Sequence, residues 1–374
     1  MISRRAVLAL PWFASGFAAC GRRRGNAGFR GYAFVANEEG QAVAAVDLEA
    51  LAVARHIPLA GSPTSVVAGQ TRPFVYALTA ANGTIHEVAV DRLQFTRKLA
   101  VASSAVAMQM APDEGTREGG ALYVLAREPR ALIRVVLDTW KVEWRMVLPR
   151  EPVDFALASD HRSAAITFDQ GVHLVDLESR KLQNPAGAGE FGAVRFLSNA
   201  KTLIAADRGE SRLSFYDVAT SGLITHLPLA VRPDNLCFNA DGGQLFVTGE
   251  GMDAVVVVYP FHTPEVAETV LASHQPGPLA ASRALLFVAS PSSGGVSILE
   301  INSRKVIAVV SVGTDPGFIT VTPDDQYALV LNRSSGDVAV LRVGAITKNR
   351  DRRASLLTVI PVGSRPVSAV VRAV

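Results

Sequence analysis

The sequence is short of net charge, of cysteine and of any long apolar run, and each shortage closes off a class of function. Lys plus Arg number 37 against 34 Asp plus Glu, a formal net charge of +3 over 374 residues. So thin a positive excess excludes a strongly basic nucleic-acid footprint, and no nucleic-acid partner is expected. The two cysteines, Cys20 and Cys237, offer no pair for zinc and no Cys-x-x-Cys-His haem attachment. The apolar stretch Ala6 to Ala19 is 14 residues long with Pro11 inside it. A bilayer-spanning helix takes about 20 residues, so a permanent transmembrane helix is the weaker reading. What is present is 49% apolar and 19% charged residues, with 30 Gly and 20 Pro. That is enough to bury a large core and punctuate it with many turns.

The N-terminus reads as an address. Met1-Ile-Ser-Arg-Arg5, the apolar stretch and Cys20 form an export signal. Ser3-Arg4-Arg5-Ala6-Val7-Leu8 resembles the twin-arginine pattern, and Phe17-Ala18-Ala19-Cys20 resembles a bacterial lipobox. That resemblance implies lipidation of Cys20, which becomes the mature N-terminus; a plainly cleaved secretory signal is the alternative. Residues 1–20 are taken as export signal, 21–30 as a basic, glycine-rich tether, and 31–374 as the folded body. The expected location is the cell envelope, lipid-anchored, facing the periplasm or the cell surface. Cys237, alone in the mature chain and set in an apolar strand, reads as a small buried hydrophobe rather than a reactive thiol.

From residue 31 onward one string of events recurs eight times. Each unit begins with a short apolar, β-branched run: at Tyr32, Phe74, Ala121, Ala164, Thr202, Leu245, Leu285 and Tyr327. The starts lie about 40 residues apart. A polar turn follows, then an alternating strand often ending in Asp, as at Asp47, Asp91, Asp176 and Asp217. Alternation at period two argues for half-buried β-strands. A third strand comes next, then a corner bearing proline, as in Gly61-Ser-Pro63, Arg150-Glu-Pro152, Val231-Arg-Pro233, Thr314-Asp-Pro316 and Ser364-Arg-Pro366. The fourth strand closes on a tight turn such as Ala111-Pro-Asp-Glu-Gly115, Asn239-Ala-Asp-Gly-Gly243 or Thr322-Pro-Asp-Asp325.

Four antiparallel strands per unit predict an all-β, single β-propeller of eight four-stranded blades. The fourth unit carries Asn184-Pro-Ala-Gly-Ala-Gly189 where a strand and corner belong, which leaves seven blades as the alternative. Tyr32-Ala-Phe-Val-Ala-Asn37, Ile360-Pro-Val-Gly363 and Thr322-Pro-Asp-Asp325 together resemble the YVTN family of β-propeller repeats. In related propellers the strand before the Asp-Gly turn is innermost. In that register the body begins on a second strand, and Pro366 to Val374 returns as an innermost strand to complete the first blade. An open ring would leave sheet edges exposed.

Sites for chemistry are sparse. No two of the seven histidines show ligand spacing, and there is no Gly-x-Ser-x-Gly elbow or phosphate-cradling loop. Neither metal nor cofactor is expected. The strand-ending aspartates read as turn formers. The residues before the corner prolines, Ser62, Glu151, Arg232, Asp315 and Arg365, are expected to ring one mouth of the central channel. They could grip a small anionic or zwitterionic ligand, or pair with one another across the channel and fix the blades; the second is preferred. Gly344 to Ser355, with Lys348, Arg350, Arg352 and Arg353, reads as a basic surface loop. These features predict a noncatalytic, monomeric envelope scaffold for another protein or a cell-surface polymer. The rivals are a lactonase-like hydrolase, which similar propellers support, and a periplasmic redox partner with a noncovalent cofactor.

Overall fold

The computed structural model describes residues 28–69, 71–111, 120–349 and 355–374. The segment expected as export signal, Cys20, most of the expected tether, most of the turn after Ala111, and Arg350, Arg352 and Arg353 lie outside them.

Eight four-stranded antiparallel sheets stand in a ring. The apolar runs that open the units are the second strands of their blades, from Gly31–Asn37 in the first to Tyr327–Asn332 in the eighth. These runs and the third strands are buried almost throughout, as in Leu285–Ser290 and Ala254–Tyr259. A strand covered on both faces has no use for alternation, so it reads as continuous apolar sequence. The outermost strands alternate: in Lys141–Val147, Trp144 and Met146 point inward between exposed neighbours. Amphipathic sequence therefore marks the rim and apolar sequence marks the blade's middle.

The core is divided, one apolar cluster to each of the eight blade interfaces. Phe155, Ile166 and Phe168 of the fourth blade pack on Tyr123, Leu125 and Trp144 of the third. Ala33, Val35 and Ala44 of the first blade pack on Leu329, Leu331 and Val340 of the eighth. That last interface is the seam of the ring. It is joined by the far terminus: Pro366–Ala373 pairs antiparallel with Gly31–Asn37, setting Val35 opposite Ala369. On its other side the returning strand meets the second blade, whose Val66 amide donates to Ser368 Oγ at 3.3 Å.

The degenerate fourth unit still completes its blade. Lys181–Gly187 forms the outermost strand, with its register broken twice near Pro185. Proline is tolerated there because an edge strand has one side free of the ladder. The eight-blade count follows. In the basic insertion the structure differs from the expected loop: Val343–Asn349 is a short helix whose Val343 and Ile346, three apart and hence on one face, join the cluster between the seventh and eighth blades.

Three of the four recurrent aspartates close turns. Asp47 Oδ1 accepts the amides of Glu49 and Ala50 at 2.8 and 2.9 Å. Asp176 does the same for Glu178 and Ser179, and Asp217 for Thr220. Bonds from Ser179 and Thr220, respectively, hold the Asp176 and Asp217 carboxyls below the usual range.

Candidate functional site

One mouth of the channel is built from two adjacent positions per blade. The first is the corner residue before the innermost strand. The second is the residue leading the hairpin between second and third strands. The lead amide donates to the corner carbonyl: Glu38 to Arg365, Arg208 to Glu190 and Arg333 to Asp315, at 2.8–2.9 Å. Corner and lead residues carry opposite charges in four blades: Arg365 and Glu38, Glu190 and Arg208, Arg232 and Glu250, Asp315 and Arg333. The corner is tight. Asp315 and Arg365 adopt left-handed backbone, φ 58° and 55°, a sparsely populated conformation that the hairpin bonds offset.

Just inside the corner the innermost strand bulges by one residue in several blades. Val367, Val153, Asp234 and Gly317 are the bulged residues of the first, fourth, sixth and eighth blades.

The five ring residues foreseen from sequence are all at corners, but their ion pairs do not run to one another across the channel. Arg365 Nε lies 2.7 Å from Glu38 Oε2, within its own blade. Glu151 Oε1 lies 2.9 Å from Arg127 Nε of the preceding blade's hairpin. Arg232 holds Glu190 at 2.5 Å and Glu250 at 3.4 Å. Asp315 Oδ2 accepts from Ser334 Oγ at 3.5 Å, and Ser62 takes the corner of the second blade. The reason is local: a corner residue sits against its own hairpin and the preceding blade, whereas the opposite wall is the width of the channel away. Glu190, Arg208, Arg127, Glu250 and Arg333 are further charged residues of the mouth. Glu190 escaped the proline pattern because Phe191 follows it; the others could have been found as residues directly after the apolar second strands.

Electrostatics along this rim follows the pairing. Glu190 and then Glu250 raise the Arg232 guanidinium further above its usual range. Burial pushes the Asp234 carboxyl up, against the pull of Arg208 at 3.2 Å. Deeper in the channel, burial raises Asp154, which accepts from the Val194 amide and Arg195, both at 3.3 Å. Cys237 is pushed up to about 11 by burial, so it is a thiol at neutral pH and a poor nucleophile.

Beside the mouth, between the sixth and seventh blades, lies an open cleft of about 630 Å³ lined by Asp234, Glu250, Met252, Asp253 and His274 among others. His274 Nδ1 is 2.8 Å from Asp253 Oδ2. The Gln275 amide, ahead of His274, holds the Asp253 carboxyl below its usual range. Among the described residues no three His, Cys, Asp or Glu side chains are grouped to hold a metal ion.

No protein-family model matches the chain. In sequence it is similar to the seven-bladed beta-propeller protein Rv1057 of Mycobacterium tuberculosis, 25% identical over 146 residues, which is 37% of each chain. The match thus spans well under half the length of that relative. In structure it is similar to dihydro-heme d1 dehydrogenase NirN in complex with DHE, with a TM-score of 0.73 at 10% identity over 94% of this chain and 77% of that one. It is also similar to apo AztD from Citrobacter koseri, TM-score 0.68 at 12% identity over 92% and 98% of the two chains. The chain is a β-propeller with propeller relatives. At these identities the structural likenesses show the fold alone.

Proposed function

We propose that the protein is a noncatalytic scaffold of the cell envelope, a drifted YVTN-type propeller exported by its N-terminal signal and anchored through lipid on Cys20. Its mouth face presents a rigid, charge-patterned surface to another protein or to a cell-surface polymer. The observation that carries this reading is the engagement of the mouth's charges. Arg127 with Glu151, Arg232 with Glu190 and Glu250, Arg208 with Asp234 and Arg365 with Glu38 bind hairpins and corners together. Groups so paired fix a surface; a catalytic acid or base is held in a pocket with its pKa displaced toward the working pH.

The lactonase-like rival requires clustered acids or histidines around the channel. The cleft dyad of His274 and Asp253 is its nearest support, and His274 is two-thirds exposed. The redox rival draws on the likeness to NirN, whose structure was solved with DHE. A noncovalent chromophore co-purifying with this chain would favour it.

The test is affinity capture from solubilised envelope with the tagged full chain and its Glu190→Lys/Glu250→Lys variant, read by mass spectrometry and visible absorbance. A partner retained by the wild type and lost by the folded variant supports the scaffold. Identical capture by both, or a visible chromophore, contradicts it. Labelled fatty acid incorporated into the wild type and absent from Cys20→Ala tests the anchor.

A further inference from the structure

The geometry points to Arg333 as a binding site for the carboxylate of a small monoanionic ligand at the channel mouth. Two arginines occupy equivalent places in their blades. Arg208 and Arg333 both lead their hairpins, and each lies over a glycine of its own innermost strand, Gly192 and Gly317 respectively. A Cβ at Gly317 would overlap the Arg333 guanidinium, so the glycine is what lets this side chain lie against the strand.

From there the two differ. Arg208 reaches the bulged residue of the next blade, Asp234, at 3.2 Å. For Arg333 the next blade is the first, where the bulged residue is Val367, packed into the apolar cluster shared with the second blade. Arg333 donates from Nη2 to the Gly317 carbonyl at 3.0 Å. The Nε of each arginine is buried without a hydrogen-bond acceptor, so the difference is the carboxylate. Asp234 stands at ion-pair distance from Arg208, no carboxylate among the described residues pairs with Arg333, and the Nη1–Nη2 edge of Arg333 is the one left to take it. A partly buried guanidinium carries five donors and a full charge, and it holds a carboxylate in a two-point fork. The protein supplies that carboxylate in one blade and omits it in the equivalent place of another.

The neighbourhood sets the charge of the ligand. Asp315 is bonded through its backbone to Arg333, and among the described residues its own carboxylate accepts only from Ser334, at 3.5 Å. A second negative charge on the ligand would meet this aspartate, so a monocarboxylate is favoured over a phosphate dianion. This inference does not depend on the scaffold reading, because it concerns a small-molecule site that can exist with or without a protein partner.

The probes are acetate, benzoate and inorganic phosphate, titrated at constant ionic strength against the full chain, with the unfolding temperature as readout. Wild type is expected to show a saturable rise with the monocarboxylates. Arg333→Gln is expected to raise the apparent Kd at least about tenfold and Arg333→Lys to fall between. A ligand-free arm guards against misfolded variants: Val367→Asp, which restores the arrangement of Arg208 and Asp234, should lower the unfolding temperature less in the presence of Arg333 than beside Arg333→Gln. It should also abolish the benzoate response. No saturable response in wild type, equal responses in wild type and Arg333→Gln, additive losses in the double variant, or phosphate binding more tightly than benzoate would overturn the assignment.

Discussion

Asn37 donates from Nδ2 to the carbonyl of Val362 at 2.7 Å, tying the first blade's second strand to the end of the eighth blade. Asn332 repeats the bond one blade earlier, to Val312 at 3.1 Å. Both asparagines are buried at the ends of second strands, and both accepting residues precede a glycine, Gly363 and Gly313. The asparagine that ends the Tyr32 motif is therefore a clamp between blades.

Replacing Asn37 or Asn332 by Ala leaves a buried carbonyl without its donor, and each change is expected to cost about 1–3 kcal/mol of unfolding free energy. Gly313→Ala should be destabilising as well, because its Cβ would overlap the Asn332 amide. Its penalty should shrink in an Asn332→Ala background, where that amide is gone. A double-mutant cycle by chemical denaturation checks the coupling; strict additivity would show that the two residues do not meet.

His86 makes stability depend on pH. It is fully buried, with Thr79 Oγ1 at 3.2 Å from Nε2, and burial, then the charge on Lys98, lowers it from 6.5 to about 4. As pH falls through 6.5 the unfolded chain takes up a proton that the folded chain refuses until about pH 4. Stability from this group is full above 6.5, declines between 6.5 and 4, and is level below, with a total of up to about 3 kcal/mol. His86→Gln should flatten that window in urea titrations. An unchanged pH profile would place the loss elsewhere.

The terminal strand should matter beyond its own length. Deleting residues 366–374 bares the edge of Gly31–Asn37 and opens the apolar interface between the eighth and first blades. The truncated chain is expected to unfold at least about 10 °C lower and to self-associate through the free edge. A truncation melting at the wild-type temperature would mean that the seam contributes little.

Much of the fold could be read from the residues because a blade writes its layers differently. The buried second strands at Tyr32, Phe74 and Tyr327 are unbroken apolar runs, and the rims alternate. The helix at Val343–Asn349 was not legible, since two anchoring residues and one glycine make no recognisable period over seven residues. The corner positions of Arg232 and Arg365 were legible from their prolines. Their partners were not, because which charge a corner meets depends on the hairpin folded beside it. Glu190 shows the limit, a corner residue without the proline that marks the others.

The closed eight-blade ring underlies the mouth, the seam and every equivalence between blades. Its most direct measurement is a cysteine cross-link between Val35→Cys and Ala369→Cys, directly opposite in the antiparallel pair, in a chain with Cys20 and Cys237 changed to Ser. Facing positions of antiparallel strands have Cα atoms about 4.5–5.5 Å apart, within reach of a disulfide. The account predicts near-complete intramolecular cross-linking under mild oxidation, with no dimer and a raised unfolding temperature. Free thiols that persist in the folded protein, or cross-links only between molecules, would contradict it.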